Sequence, residues 1–155
     1  MPSEYRQRII DFLSGVVYGL LTTLELTFFA LILGAVIGVI VAVIRSSHDQ
    51  LDRQHKHIKA LDVADFICNI YLTVIRGTPV MVQLLIMYFV IMASSTNTVL
   101  VATLSFGINS GAYVAEIIRG GIMAIDKGQM EAGRSLGLSY VQTMWHIVIP
   151  QAIKS

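Results

Sequence analysis

Two carboxylates, Glu25 and Glu116, lie within or beside long apolar runs. An ionisable group held at such a depth is a candidate for a substrate path, because lipid does not tolerate it without a reason. Glu116 has Arg119 one turn further on, and pairing with it is the simpler role. Glu25 has no local partner, which makes it the stronger path candidate, or places it at the outer interface. His55 and His57 form a His-x-His pair that could bind a metal, but spacing fixes no third ligand. With His48 they fall in a charged stretch over 45–60 that reads as a solvated loop. Cys68 has no His or Asp arrayed for a nucleophile and reads as a small apolar residue. No G-x-x-x-x-G-K-[ST] loop is present to cradle phosphates. Neither a catalytic set, a metal site nor a cofactor is implied. A membrane-embedded enzyme would need acids and histidines clustered at one depth, and here they are scattered.

The elements that must carry these groups follow from composition. Of 155 residues, 55% are hydrophobic and only 14% charged, against about 25% charged in soluble domains. Eleven Lys and Arg against ten Asp and Glu leave a net charge of +1, which offers no basic surface for nucleic acid. A single cysteine excludes an internal disulfide. An all-α integral membrane protein remains.

Charge placement divides the chain into three spans. Nineteen uncharged residues run from Leu26 to Ile44, close to the ~20 that cross a bilayer core. This predicts span one over 16–44, too long for a signal peptide's apolar core. Thirty-nine uncharged positions separate Arg76 from Glu116; with a turn at Ser94–Thr98 they predict span two over 74–93 and span three over 98–118. The interval 45–73 becomes a cytoplasmic loop with an interfacial helix. Excluding Arg76, which can snorkel at the mouth of span two, eight Lys and Arg fall on the side of the 45–73 loop and the tail, against Arg6 and Arg8 on the other. The positive side is cytoplasmic, so the N-terminus is outside and the tail inside. Gly34 with Gly38, and Gly15 with Gly19, make small-xxx-small faces for close helix contact, either with a second subunit or within the chain.

The tail is marked at every boundary. Asp126 and Gln129 have capping-box spacing and open a helix through Met130–Leu136. Gly137 stands where a left-handed cap is needed. Ser139 and Gln142 form a second capping box, after which Val141, Met144, Trp145, Val148 and Ile149 share one helix face. Pro150 is expected to stop that helix. An amphipathic hairpin lying on lipid is the plain alternative, although Lys and Arg are sparse on it; Trp145 suits a protein partner equally well.

At these residues the sequence resembles the inner-membrane permease subunits of ATP-binding-cassette importers. The signature is a Glu-Ala-Ala element, a Gly a few residues on and an Ile-x-x-Pro ending; here Glu131-Ala132-Gly133, Gly137 and Ile147–Pro150 stand in those places. Gly133 departs from the usual Ala, and Asp126 stands where relatives usually have Pro. Arg76-Gly77-Thr78-Pro79 with Gln83, and Asn109–Glu116 with Arg119-Gly120, are similar to the polar amino acid subgroup, which includes permeases for histidine, glutamine, glutamate, arginine and opines.

The resemblance implies a permease domain over 1–155 that lacks the last two of the family's five spans, in a bacterial inner membrane. Its tail over 126–150 would be a coupling loop. Glu131, Ala132, Gly133, Arg134, Gly137, Trp145 and Pro150 would engage a separate ATPase, with Leu136, Leu138 and Ile149 as apolar anchors. The implied partners are ATP-binding cassette ATPase subunits, a second permease subunit, an external solute-binding protein and the amino acid substrate. A complete three-span adaptor or channel-like protein is the rival reading.

Overall fold

The computed structural model describes residues 3–53 and 58–154, and every regular element among them is helical. The first apolar run lies inside α1 (Ser3–Arg53), an unbroken helix of 51 residues, about 77 Å long at 1.5 Å per residue. No proline interrupts it, and Thr22, Thr23 and Thr27 donate their hydroxyls to carbonyls four residues back within the helix. The expected end of the helix at Ile44 is therefore corrected: it continues nine residues further, where Arg45, His48 and Asp49 find partners on other helices. Much of the expected 45–73 loop is helical.

Span two also differs from its expected outline. Instead of one helix over 74–93, α2 (Lys59–Gly77) and α3 (Val80–Ile86) meet at a 109° bend. The latter continues as a π-helical turn, Met87–Ile91. The bend has a local cause. Pro79 has no N–H to continue the helical ladder, and its ring disfavours helical geometry at Thr78; Thr78 is extended, with φ −121° and ψ 146°. After the turn, α4 (Thr98–Ala124) opens on Asn97, whose side chain accepts from the Leu100 N–H. It runs six residues past the expected end at 118. Helices α1 and α4 are each long and apolar enough to cross a membrane, and the bent pair α2–α3 makes a third such unit if counted as one.

Helices α1 and α4 are parallel, and glycines set their separation. Leu33 lies against Gly107, Gly34 against Ser110, Ile37 against Gly111 and Gly38 against Val114, so sequence rises together along both. A Cβ on Gly34 would meet Ser110 Cβ at 2.7 Å, and one on Gly111 would meet Ile37 Cγ2 at 2.8 Å. Small residues let two backbones approach closely enough for dispersion contacts to hold helices together where water provides no drive. The two packing roles left open for Gly34 and Gly38 thus resolve in favour of contact within the chain. Gly15 and Gly19 have nothing within 4 Å, and the first half of α1 is exposed along its length. Behind the glycine seam, Val41, Cys68, Leu72, Ala112 and Ala115 form the core that joins α2 to both.

The tail folds as two helices at an elbow. The first, α5 (Lys127–Ser135), is followed by α6, which begins at Tyr140–Thr143, passes through a π-helical turn at Met144–Val148 and ends in Ile149–Ala152. Pro150 therefore does not stop the second helix. The Ile149 N–H reaches back five residues to the Met144 carbonyl, and this wider turn accommodates the proline ring that an α-helical turn would reject.

Candidate functional site

Three assemblies contain most of the residues singled out by sequence. The first is an ionic chain across the ends of α1, α2 and α4. Glu116 on α4 meets Arg45 of α1 with one oxygen and Arg76 of α2 with the other, each at 3.3 Å. Arg45 also faces Asp65 of α2 at 3.4 Å, as an ion pair without a hydrogen bond. His48 continues the chain to Asp62 at 3.2 Å and Asp65 at 3.8 Å. The expected Glu116–Arg119 pair is not formed: Arg119 instead holds Asp49 at 2.9 Å. Partners on neighbouring helices satisfy the same charge with more burial than a pair along one helix face, and Arg45 is only 14% exposed. His55 and His57 lie outside the described residues; among those described, no cluster of metal-ligating side chains occurs.

The second assembly is the bend. In an α-helix the residue at position 79 would donate to the Ile75 carbonyl, and Pro79 cannot. The Gln83 amide supplies the missing donor, reaching Ile75 O at 2.8 Å and Thr78 Oγ1 at 2.7 Å. Its own carbonyl accepts from Asn109 Nδ2 of α4 at 3.0 Å. Tyr71 donates to the Ile108 carbonyl at 2.6 Å, next to Gly111, where a Cβ would lie 2.9 Å from the phenol oxygen. The two blocks that sequence placed apart, Arg76–Gln83 and Asn109–Glu116, thus face each other.

The third assembly is the elbow. Asp126 caps α5 by accepting from the Gly128 N–H at 2.6 Å, but the expected capping box with Gln129 is not formed: the Gln129 N–H bonds to the Asp126 carbonyl at 3.0 Å, and its side chain accepts from Gln151 at 3.3 Å. Gly137 has φ +81°. The Leu138 N–H bonds to the Gly133 carbonyl and the Gly137 N–H to that of Arg134, which together make a Schellman motif. At the start of α6 both halves of the Ser139–Gln142 capping box are present. Burial pushes the neighbouring Tyr140 hydroxyl above its ordinary pKa, so the phenol is neutral.

Exposure divides the remaining residues. Glu131, Ala132, Arg134 and Pro150 are exposed on the elbow, as are Leu136, Val141 and Trp145, the last at 68%. Leu138 and Ile149 are half-buried. Val148 and Thr143 are buried inside the elbow, so the expected single apolar face is split; the extra residue in the π-helical turn rotates the register. Ala152 closes onto Gly121, its carbonyl 3.3 Å from where a Cβ would sit, and so ties the end of the elbow to α4. Glu25 is exposed on α1, far from this cluster, with no ion pair among the described residues. Sequence reading missed Arg45, Asp65 and Tyr71; their signal was the presence of charge and hydroxyl groups on otherwise apolar faces.

Residues 59–155 match the family described as the binding-protein-dependent transport system inner membrane component. Over 143 residues the chain is 37% identical to GlnP of Rickettsia prowazekii (strain Madrid E), named for a glutamine transport system permease, which covers 90% of this chain and 60% of that protein. It is 32% identical over 151 residues to the L-cystine transport system permease protein TcyB of Bacillus subtilis (strain 168), with 96% and 58% covered. A crystal structure of an amino acid ABC transporter with histidines superposes with a TM-score of 0.74 at 37% identity, over 96% of this chain and 64% of that one. The chain spans about 60% of the length of these curated relatives.

Proposed function

The chain belongs to the family of binding-protein-dependent transport system inner membrane components, and from that premise we propose that it is the permease subunit of an importer that moves polar amino acids across the bacterial inner membrane. The energy comes from ATP hydrolysed by a separate cassette subunit, and an external solute-binding protein delivers the substrate. The permease pairs with a second permease subunit to complete the path. The observation that carries this reading is the doubly capped elbow tied back to α4. A rigid turn with Glu131, Arg134, Leu136 and Trp145 exposed can be displaced by a partner and transmit that displacement.

Parallel packing of α1 and α4 supports three crossings. If both run in the same direction through the bilayer, the chain must return between Arg53 and Thr98, and the bent pair α2–α3 is the apolar helical segment in that interval. With the charge bias read from sequence, the N-terminus is outside and the elbow cytoplasmic. ATP-driven closure of the cassette subunits then shifts the elbow, and differential affinity for the two states sets their populations. Of the two path carboxylates, Glu116 is neutralised by Arg45 and Arg76, which favours a structural role for it. Glu25 remains available to a substrate.

The test is reconstitution of the full-length chain with its cassette subunits and binding protein in liposomes. ATP-dependent uptake of a labelled polar amino acid is expected. Uptake that persists without ATP or without the cassette subunits would point instead to a channel-like protein.

A further inference from the structure

The bend between α2 and α3 has the composition of a hinge, Gly77-Thr78-Pro79. Breaks of this kind give flexibility when the freed backbone groups are left to water or to alternating partners. Here they are not. The Ile75 carbonyl, which Pro79 cannot serve, receives the Gln83 amide at 2.8 Å; the Thr78 carbonyl receives the same amide at 3.1 Å and the Thr78 hydroxyl receives it at 2.7 Å. That hydroxyl donates in turn to the Val74 carbonyl at 2.8 Å. One side chain on α3 therefore stitches the last turn of α2 to the first turn of its own helix.

Each arm is also fastened to α4. On the α2 side, Tyr71 bonds to Ile108 O and Arg76 pairs with Glu116. On the α3 side, Gln83 accepts from Asn109. These three anchors lie within nine residues of α4, Ile108 to Glu116. In a low-dielectric setting, opening the bend would take Gln83 away from the Ile75 carbonyl and from Asn109, leaving a backbone carbonyl and two side-chain amides without these partners together, each at substantial cost.

We infer that Gln83 is a positioning residue that locks the α2–α3 break into a fixed bracket on α4, so that the bracket and α4 move as one body while the elbow is displaced. The inference rests on the permease reading for its role in transport, but the fixed geometry stands on the contacts alone.

The experiment uses the full-length chain in lipid nanodiscs, with and without its cassette subunits. Spin labels go on exposed Ile70 of α2 and Phe89 beyond the bend, and a second labelled pair joins the elbow to α1. A straight helix would put residues 70 and 89 about 28 Å apart, and the bend brings them much closer. A single narrow distance at 70–89, unchanged between nucleotide-free and ATP-trapped states, is expected. Gln83→Leu should broaden that distance or lengthen it towards the straight-helix value. If Gln83→Leu fails to insert, Asn109→Ala removes only the tie to α4 and should broaden the distance less. Adding Pro79→Ala to Gln83→Leu returns an N–H to the Ile75 carbonyl and should give a long, narrow distance.

A broad wild-type distribution, a nucleotide-dependent change at 70–89, or variants indistinguishable from wild type would each overturn the bracket. An elbow pair that never responds to nucleotide, with 70–89 narrow, would instead overturn the permease reading and leave the bracket standing.

Discussion

Thr143 of α6 fills the space in front of Gly133 of α5: a Cβ on Gly133 would lie 2.6 Å from Thr143 Cγ2 and 3.0 Å from its hydroxyl. Thr143 cannot easily turn away, because it is fully buried and its hydroxyl donates to the Ser139 carbonyl at 3.0 Å. Gly at position 133 therefore has a reason found ten residues downstream. Gly133→Ala should destabilise the elbow by about 1–3 kcal/mol through overpacking. Thr143→Ser removes the obstructing methyl and keeps the hydroxyl bond, so the double variant should recover most of that loss, helped by the better helix propensity of Ala. Limited proteolysis at the elbow across the four-variant cycle measures the coupling. Independent, additive effects would show that the two residues do not constrain one another.

Gly137 makes a sharper demand, since φ +81° lies in the left-handed region. An L-residue there costs roughly 1–2 kcal/mol, and a β-branched one more, whereas Asn tolerates the conformation. On the proposed importer reading, Gly137→Val should leave membrane insertion intact but lower the number of amino acids imported per ATP hydrolysed; Gly137→Asn should stay near wild type. Uptake and phosphate release measured on the same liposomes give the ratio. Equal ratios for Val and Gly at this position would remove the case for a rigid elbow.

Arg45 holds two carboxylates on two different helices, Asp65 and Glu116, and is largely buried. Its removal leaves Asp65 facing only His48, at 3.8 Å, and leaves Glu116 dependent on the half-exposed Arg76. Arg45→Ala is expected to cost about 3 kcal/mol, the lower end of the range for orphaning a buried charge. Glu116→Gln should cost less, because the amide keeps one acceptor oxygen for Arg45, which also retains Asp65, and the more exposed Arg76 can turn to solvent. Thermal denaturation in detergent, read from intrinsic fluorescence, ranks the two. The reverse order would mean that the chain of charges is centred on Glu116.

Local signals were legible in the sequence wherever one residue type has one physical use. The Schellman glycine, the Ser139–Gln142 box and the turn before Thr98 all depend on neighbours within five residues, and they stand where the spacing places them. Competition between distant groups was not legible. Arg119 was free to pair along its own helix but found Asp49 seventy residues away. Gln129 had the spacing for a reciprocal cap and instead met Gln151. Pro150 is a helix stop unless a π-helical turn precedes it, and nothing in the residue pattern announces that turn. The bend at Pro79 was marked by its residues, but a window of uncharged length masked it.

The glycine pairs of α1 give a prediction with a built-in control, because two identical spacings have different surroundings. A Cβ on Gly38 would meet Val114 Cγ1 at 2.5 Å and the Ala115 backbone nitrogen at 3.1 Å. Backbone cannot step aside as a side-chain tip can, so Gly38→Val must push α1 away from α4 and loosen the core formed by Val41, Ala112 and Ala115. Gly19 has nothing within 4 Å, so Gly19→Val leaves the fold of this chain unchanged. The two variants add the same isopropyl group to the same helix, which cancels any difference in membrane insertion free energy to first order. Disulfide trapping between cysteines placed on α1 and α4 at Ile37 and Ser110 reports the separation. Crosslinking should fall several-fold in Gly38→Val and stay at the wild-type level in Gly19→Val. A matching fall in both would mean that the contact along α1 extends beyond the seam at Gly34 and Gly38.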